Sequence, residues 1–118
     1  MNIILVSLGG FLGSITRYYI GTLVQRKIIG TLIVNVTGAI LLAYITQLYL
    51  IGDVSQTLWL FVGSGFSGAY TTFSTFGYET LHLALEQKYK QAIIYVVASL
   101  VISILAVWTT FVMVNIIF

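Results

Sequence analysis

Thr71-Thr72-Phe73-Ser74-Thr75-Phe76 sets four hydroxyls and two aromatic rings in the middle of an apolar segment, just downstream of Gly63, Gly65 and Gly68. In hydrocarbon every unpaired backbone or hydroxyl group is costly, so such a cluster at mid-depth marks a broken helix that lines a cavity or is packed in protein. The run therefore predicts an all-α integral membrane protein whose third helix is interrupted, and it raises the question of what polar species is handled there.

The rest of the chain agrees with that reading. With 59% hydrophobic and 7% charged residues, the 118-residue chain is far too apolar for a soluble domain of this size. Four apolar stretches, at about 3–24, 28–50, 58–83 and 92–118, each exceed the ~20 residues that a helix needs to cross a bilayer. They form a single transmembrane domain over 1–118, so function is expected inside the bundle. No cleavable signal peptide is expected, since the first apolar stretch lacks a basic start and runs too long. Cysteine is absent, which excludes disulfides and thiolate metal sites, and one histidine beside three carboxylates is too little for a zinc site. Five basic residues and a net charge of +2 do not read as nucleic-acid binding. Nothing in the residues supports an enzyme.

Three short loops join the stretches. Gln25-Arg26-Lys27 links the first two, 52–57 with Asp53 links the next pair, and Glu86-Gln87-Lys88-Tyr89-Lys90 links the last pair. With four spans the first and third loops share a side, and they hold Arg26, Lys27, Lys88 and Lys90, whereas the second loop and both tails have no Lys or Arg. By the positive-inside rule, both termini would face outside.

Between helices in lipid there is no hydrophobic drive, so contact relies on small residues and interhelical hydrogen bonds. Gly9-x-x-x-Gly13, then Gly30 with Gly38 and Ala39, then Ser64-x-x-x-Gly68 and Gly65-x-x-x-Ala69 supply the small residues. Each is also explained by helix packing alone. Four helices leave little interior for a polar pathway, so a route is expected between subunits of a small homo-oligomer, with a symmetric dimer the commonest case.

Arg17 is the one basic residue well inside a span, and an intramembrane charge is a functional candidate. Snorkelling to the headgroups or clamping a carbonyl explains it equally well. Asn35, one turn beyond Thr31, offers an amide that is either interhelical glue or a ligand donor. Tyr95, Ser99 and Ser103 follow i, i+4 spacing and form one polar stripe, unless the hydroxyls merely bond back to carbonyls four residues earlier. Phe73 and Phe76, three apart, share a face; they are either core packing or ring edges that meet an anion without trapping it. Glu79 and His82 fall toward the end of the third stretch and read as interface residues with solvent access. The other three spans contain no Asp, Glu or Lys, which argues against proton-coupled transport.

Three motifs together resemble the Fluc (CrcB) family of fluoride channels. They are Gly9-Gly10-x-x-Gly13-Ser14-x-x-Arg17-Tyr18, Gly30-Thr31-Leu32-x-Val34-Asn35-x-x-Gly38, and Gly65-x-x-Gly68-x-x-Thr71-Thr72-Phe73-Ser74-Thr75-Phe76. The resemblance implies a dual-topology, antiparallel homodimer in the bacterial plasma membrane. It implies passive fluoride export through two pores at the subunit interface, and a central structural Na+ held by backbone carbonyls of the broken third helices. Residue by residue, Phe73 and Phe76 match the family's aromatic pore residues and Asn35 its pore-facing amide, while Tyr95, Ser99 and Ser103 resemble its polar track. Arg17 resembles a vestibule arginine and Glu79 a vestibule carboxylate. Gly68 and Thr71 fall where carbonyls meet sodium, and Thr72, Ser74 and Thr75 resemble further hydroxyl contributors. Ser14, Ala39, Ala43 and Gly77 depart from frequent family residues, but all are small, so packing survives.

One observation pulls against the homodimer. Four basic loop residues against none is a strong bias for a subunit that must insert both ways. The chain is therefore also readable as one half of a pair of oppositely oriented paralogues, although its full set of pore residues fits a homodimer. A small multidrug-resistance-type exporter shares the helix count and length, but that class relies on a carboxylate in its first span, and this one has none. A non-transporting assembly subunit, with the Gly and hydroxyl clusters as glue, is the third alternative.

Overall fold

A computed structural model describes residues 2–118, and all regular structure among them is helical. The elements are α1 (Asn2–Leu23), α2 (Lys27–Leu50), α3 (Gln56–Leu58), a π-helical stretch π1 (Trp59–Ser67), α4 (Gly68–Tyr70), α5 (Ser74–Leu85) and α6 (Tyr89–Ile117). Three of them, α1, α2 and α6, are long and apolar enough to cross a membrane. The third apolar stretch runs through α3, π1 and α4, stops at Thr71, and resumes as α5.

Local chemistry explains most of the boundaries. Ser55 caps α3 by accepting from the Leu58 amide at 3.2 Å, and the Ser, Thr, Asn and Asp class is favoured there for that reason. α2 ends with the Asp53 amide on the Leu48 carbonyl and the Gly52 amide on that of Tyr49, with Gly52 at φ 88°. α5 ends by the same pattern, Lys88 to Leu83 and Gln87 to Ala84, with Gln87 at φ 61°. Both are left-handed C-caps, a conformation that glycine adopts without cost and glutamine does not. Within the third stretch, Thr72 starts α5, since its Oγ1 accepts from the Thr75 amide at 3.2 Å.

Packing centres on the broken stretch. α1 lies along π1 and α4, α2 lies along α6 and π1, and α5 lies against α6. The α1 contact is a backbone approach: a Cβ on Gly9 would collide with the Phe61 carbonyl, and one on Gly13 with the Phe66 carbonyl. The small-residue pair at i, i+4 is thus spent against the backbone of the broken segment, in the way small residues let helices meet in lipid. Gly38 on α2 makes room for side chains of the same segment instead, since a Cβ there would strike the Thr71 methyl and crowd the Tyr70 ring. Apolar side chains such as Ile3, Phe11, Ile104 and Ile116 point outward, as a lipid-facing surface requires.

Gly13→Ala is accordingly expected to force α1 off π1. Overpacking of this kind costs about 1–3 kcal/mol. Thermal unfolding of the detergent-solubilised protein should register it, while Gly21→Ala, which meets nothing within 4 Å, should not. Equal stability of the two variants would refute the close approach.

Candidate functional site

The interruption at 71–73 has a physical origin in its hydrogen bonds. The Thr71 amide still returns to the Ser67 carbonyl at 3.1 Å, and the Thr71 hydroxyl adds a second bond to that oxygen at 3.0 Å. Thr71 then adopts ψ 158°, an extended conformation, and the helix ends. The Thr72 amide bonds instead to Asn35 Oδ1 at 2.8 Å, and Asn35 Nδ2 donates to the Thr72 carbonyl at 2.9 Å. One side chain thus replaces both backbone partners that Thr72 loses, which is what backbone at membrane depth demands.

Asn35 therefore grips the break itself, the glue alternative for this residue, while its second N–H stays free for another acceptor. Arg17 reaches the same place from α1, with Nη1 donating to the Thr71 carbonyl at 3.4 Å. Arg17 thus clamps a carbonyl, one of the explanations its position suggested. The Thr72 hydroxyl donates to Thr75 Oγ1 at 3.2 Å and lies 3.4 Å from Ser74 Oγ, so three hydroxyls of the run form one cluster.

The aromatic pair occupies the start of α5. Phe73 is 84% exposed, and Phe76 is half-buried against the cluster of Leu83, Ala92 and Tyr95. Ring centroids are 6.2 Å apart for Phe73 and Phe76, and 5.0 Å for Phe76 and Tyr95, both pairs tilted. The stripe on α6 is real: Tyr95 and Ser99 are buried and Ser103 is partly buried. Ser99 does not use its hydroxyl on its own helix, since its buried Oγ has no partner among the described residues.

Glu79 departs from expectation. It is only 8% exposed, because α5 turns it toward α6, where the Tyr95 hydroxyl donates to Oε1 at 3.0 Å. Its Oε2 is buried without a partner among the described residues. His82 is exposed as expected and pairs with Glu86, which Lys88 also meets at 3.2 Å. Lys88, and then His82, hold the Glu86 carboxyl below the usual carboxylate range.

Three spaces in sequence join these groups. An outer one of about 500 Å3 is lined by Arg26, Lys27, Tyr78, Glu79 and His82. A second of about 240 Å3 shares Lys27 and Glu79 and adds Arg17, Thr31, Thr72 and Thr75. A third, an open groove of about 340 Å3, shares Thr72 and carries Asn35, Phe73, Phe76, Ser99 and Ser103. Basic residues thus line the outer space, hydroxyls the second, and neutral donors and aromatic rings the groove, which is open on the side where Phe73 stands clear of its own chain.

The sequence motifs foretell the members of this site but not its bonds. The Asn35 and Thr72 pairing, the Arg17 contact, the Tyr95 and Glu79 bond and the nine-residue π1 are tertiary features, and only the coincidence of Asn35 with Gly38 hinted that backbone would approach there.

Comparison with known proteins finds that the family described as CrcB-like protein, Camphor Resistance (CrcB), matches residues 4–111. The chain is 41% identical over 110 residues to a fluoride-specific ion channel FluC 2 of Clostridium acetobutylicum, covering 89% of this chain and 91% of that one. It is 41% identical over 114 residues to a fluoride-specific ion channel FluC of Acidobacterium capsulatum, covering 92% and 91%. A fluoride-specific ion channel FluC of Pyrococcus furiosus is 42% identical over 116 residues, covering 95% of this chain and 94% of its own.

Proposed function

The chain belongs to the CrcB-like family, and from that premise we propose that it is a multi-pass membrane channel for fluoride that exports the ion passively and so protects the cell. The observation that carries the reading is the groove in which Asn35, Ser99 and Ser103 meet the Phe73 and Phe76 rings, joined through Thr72 to a cavity lined by Arg17 and Lys27. Relatives named fluoride-specific ion channels support this reading over the small multidrug exporter.

The chemistry suits fluoride. It is a small, hard, tightly hydrated anion, so a narrow pathway must replace its water with donors. Arg17 and Lys27 raise the local anion concentration at the mouth by their positive potential. Thr72, Ser74 and Thr75 then offer hydroxyls, Ser99 a buried hydroxyl with no other partner, Asn35 its free N–H, and Ser103 and Tyr95 complete the polar track. Phe73 and Phe76 supply ring edges of positive quadrupole. Neutral donors bind weakly enough for the ion to leave again, as conduction requires.

The groove is open toward lipid and needs a cover, which supports a dimer of four-span subunits in antiparallel, dual topology in the plasma (inner) membrane, with two pores at the interface. The break also frees carbonyls: among the described residues only Thr71 sends an amide bond back across it, so the carbonyls of Gly68, Ala69 and Tyr70 meet no amide there. Gly68 has open space beside it. Hard carbonyl oxygens suit a structural Na+; Gly68 would hold it, and Thr71 through the lone pair that Arg17 leaves free, and the ion when bound would tie two breaks together. The loop charge bias supports a second reading, in which the partner is an oppositely oriented paralogue.

Purified chain in liposomes loaded with fluoride tests the channel and the homodimer together. Fluoride-electrode efflux without a proton gradient, with chloride retained, is the expected result. Equal chloride flux would sink the selectivity. Silence alone, with flux restored by an oppositely charged-loop paralogue, would select the paired assembly.

A further inference from the structure

The carbonyl of Thr71 and the amide of Thr72 belong to one peptide unit. Arg17 of α1 donates to its oxygen at 3.4 Å, and Asn35 Oδ1 of α2 accepts from its N–H at 2.8 Å. A single peptide plane at the break is thus held at both ends by side chains from two different helices, 54 and 37 residues away. We infer that Arg17 is a positioning residue for conduction, fixing the Thr71–Thr72 peptide so that the start of α5 and its Phe73 ring stay aimed into the groove. The inference rests on the channel reading above.

Three features support a mechanical role beside the electrical one. The two bonds reinforce each other, because a donor on the peptide oxygen polarises the N–H at its other end. Flipping this peptide breaks both bonds, turning the Thr71 oxygen away from Arg17 and the Thr72 N–H away from Asn35. Arg17 is also placed by packing, since it lies one turn beyond Gly13, whose contact with the Phe66 carbonyl sets how close α1 comes to the break. A guanidinium suits the task, because its planar fork holds the carbonyl with one N–H and keeps others facing the cavity with Thr31 and Glu79. The last residue of the grip, Thr72, also caps α5 through Oγ1, so the peptide's orientation is passed directly to the first turn of that helix.

Hydrogen exchange at the break separates this role from a field effect. In the full chain reconstituted in nanodiscs, Arg17→Gln should speed exchange in peptides covering 71–76 by about tenfold, the size of a lost charge-assisted bond. Fluoride efflux from liposomes should fall by a similar factor at ionic strengths of both ~0.01 M and ~1 M, across which the screening length shrinks from about 30 to about 3 Å. Unchanged exchange in Arg17→Gln, with a flux loss that depends on salt, would overturn the inference and leave Arg17 as a source of potential only. If Arg17→Gln does not yield folded protein, Arg17→Lys keeps the charge: faster exchange in that variant supports the grip, and wild-type exchange with wild-type flux rejects it. A wild-type chain that passes no fluoride, alone or with an oppositely oriented paralogue, would sink the channel reading and still leave the exchange result legible.

Discussion

Asn35→Ala is expected to cost roughly 2–6 kcal/mol of stability and to reduce fluoride efflux to the background of empty liposomes. The estimate comes from the two groups it strands: the Thr72 amide and the Thr72 carbonyl, bonded now at 2.8 and 2.9 Å, would each lose a partner at about 1–3 kcal/mol. The break must then close into a helix or open further, and in either case the start of α5 leaves the groove. Asn35→Asp separates the two bonds, because the carboxylate still accepts from the Thr72 amide but cannot donate to its carbonyl. It also adds a negative charge to an anion route, so its flux should be at least as low as that of Asn35→Ala. Unfolding in detergent and electrode efflux measure the two effects. Wild-type stability in Asn35→Ala would mean that the clamp contributes nothing to the break.

The contrast between Asn35 and the serines explains how much of this protein is legible before a structure. Span limits follow from hydrocarbon thickness and composition, so stretches expected at 3–24, 28–50 and 92–118 meet α1, α2 and α6 within a few residues. The interruption of the third was legible because glycines and hydroxyls are local signals with few explanations in an apolar context. Many hydroxyls elsewhere obey the bland alternative, as Thr16, Thr109 and Thr110 bond to the carbonyl four residues back. Ser99 does not, and no local pattern separates it from them. What sets it apart is that neighbouring helices bury it without bringing a partner, which is a tertiary fact. The same holds for Glu79: its position on α5 suggested an exposed interface residue, but the face it occupies is turned to α6, where Tyr95 waits four residues before Ser99. Helical periodicity gives the face and leaves open what covers it.

Phe73 and Phe76 allow transport and stability to be separated within one motif. Phe73 is 84% exposed on its own chain, so Phe73→Ile should leave the stability of the single subunit within ~0.5 kcal/mol of wild type, as for surface positions generally. Phe76 rests on Tyr95 and the Leu83 and Ala92 cluster, and Phe76→Ile should also destabilise it, by an additional ~0.5–1.5 kcal/mol for the lost ring pair. Both should cut fluoride efflux at least about tenfold, because an aliphatic side chain of similar bulk offers no positive edge to an anion. Tyr19→Ile, an exposed aromatic on α1 that lines none of the three spaces, should change neither quantity. The informative case is Phe73: a side chain that its own fold does not need, yet whose loss stops transport, must act in the pathway or on the partner that closes it. Wild-type efflux in both phenylalanine variants would leave the rings as packing, and the groove's donors alone would have to account for conduction.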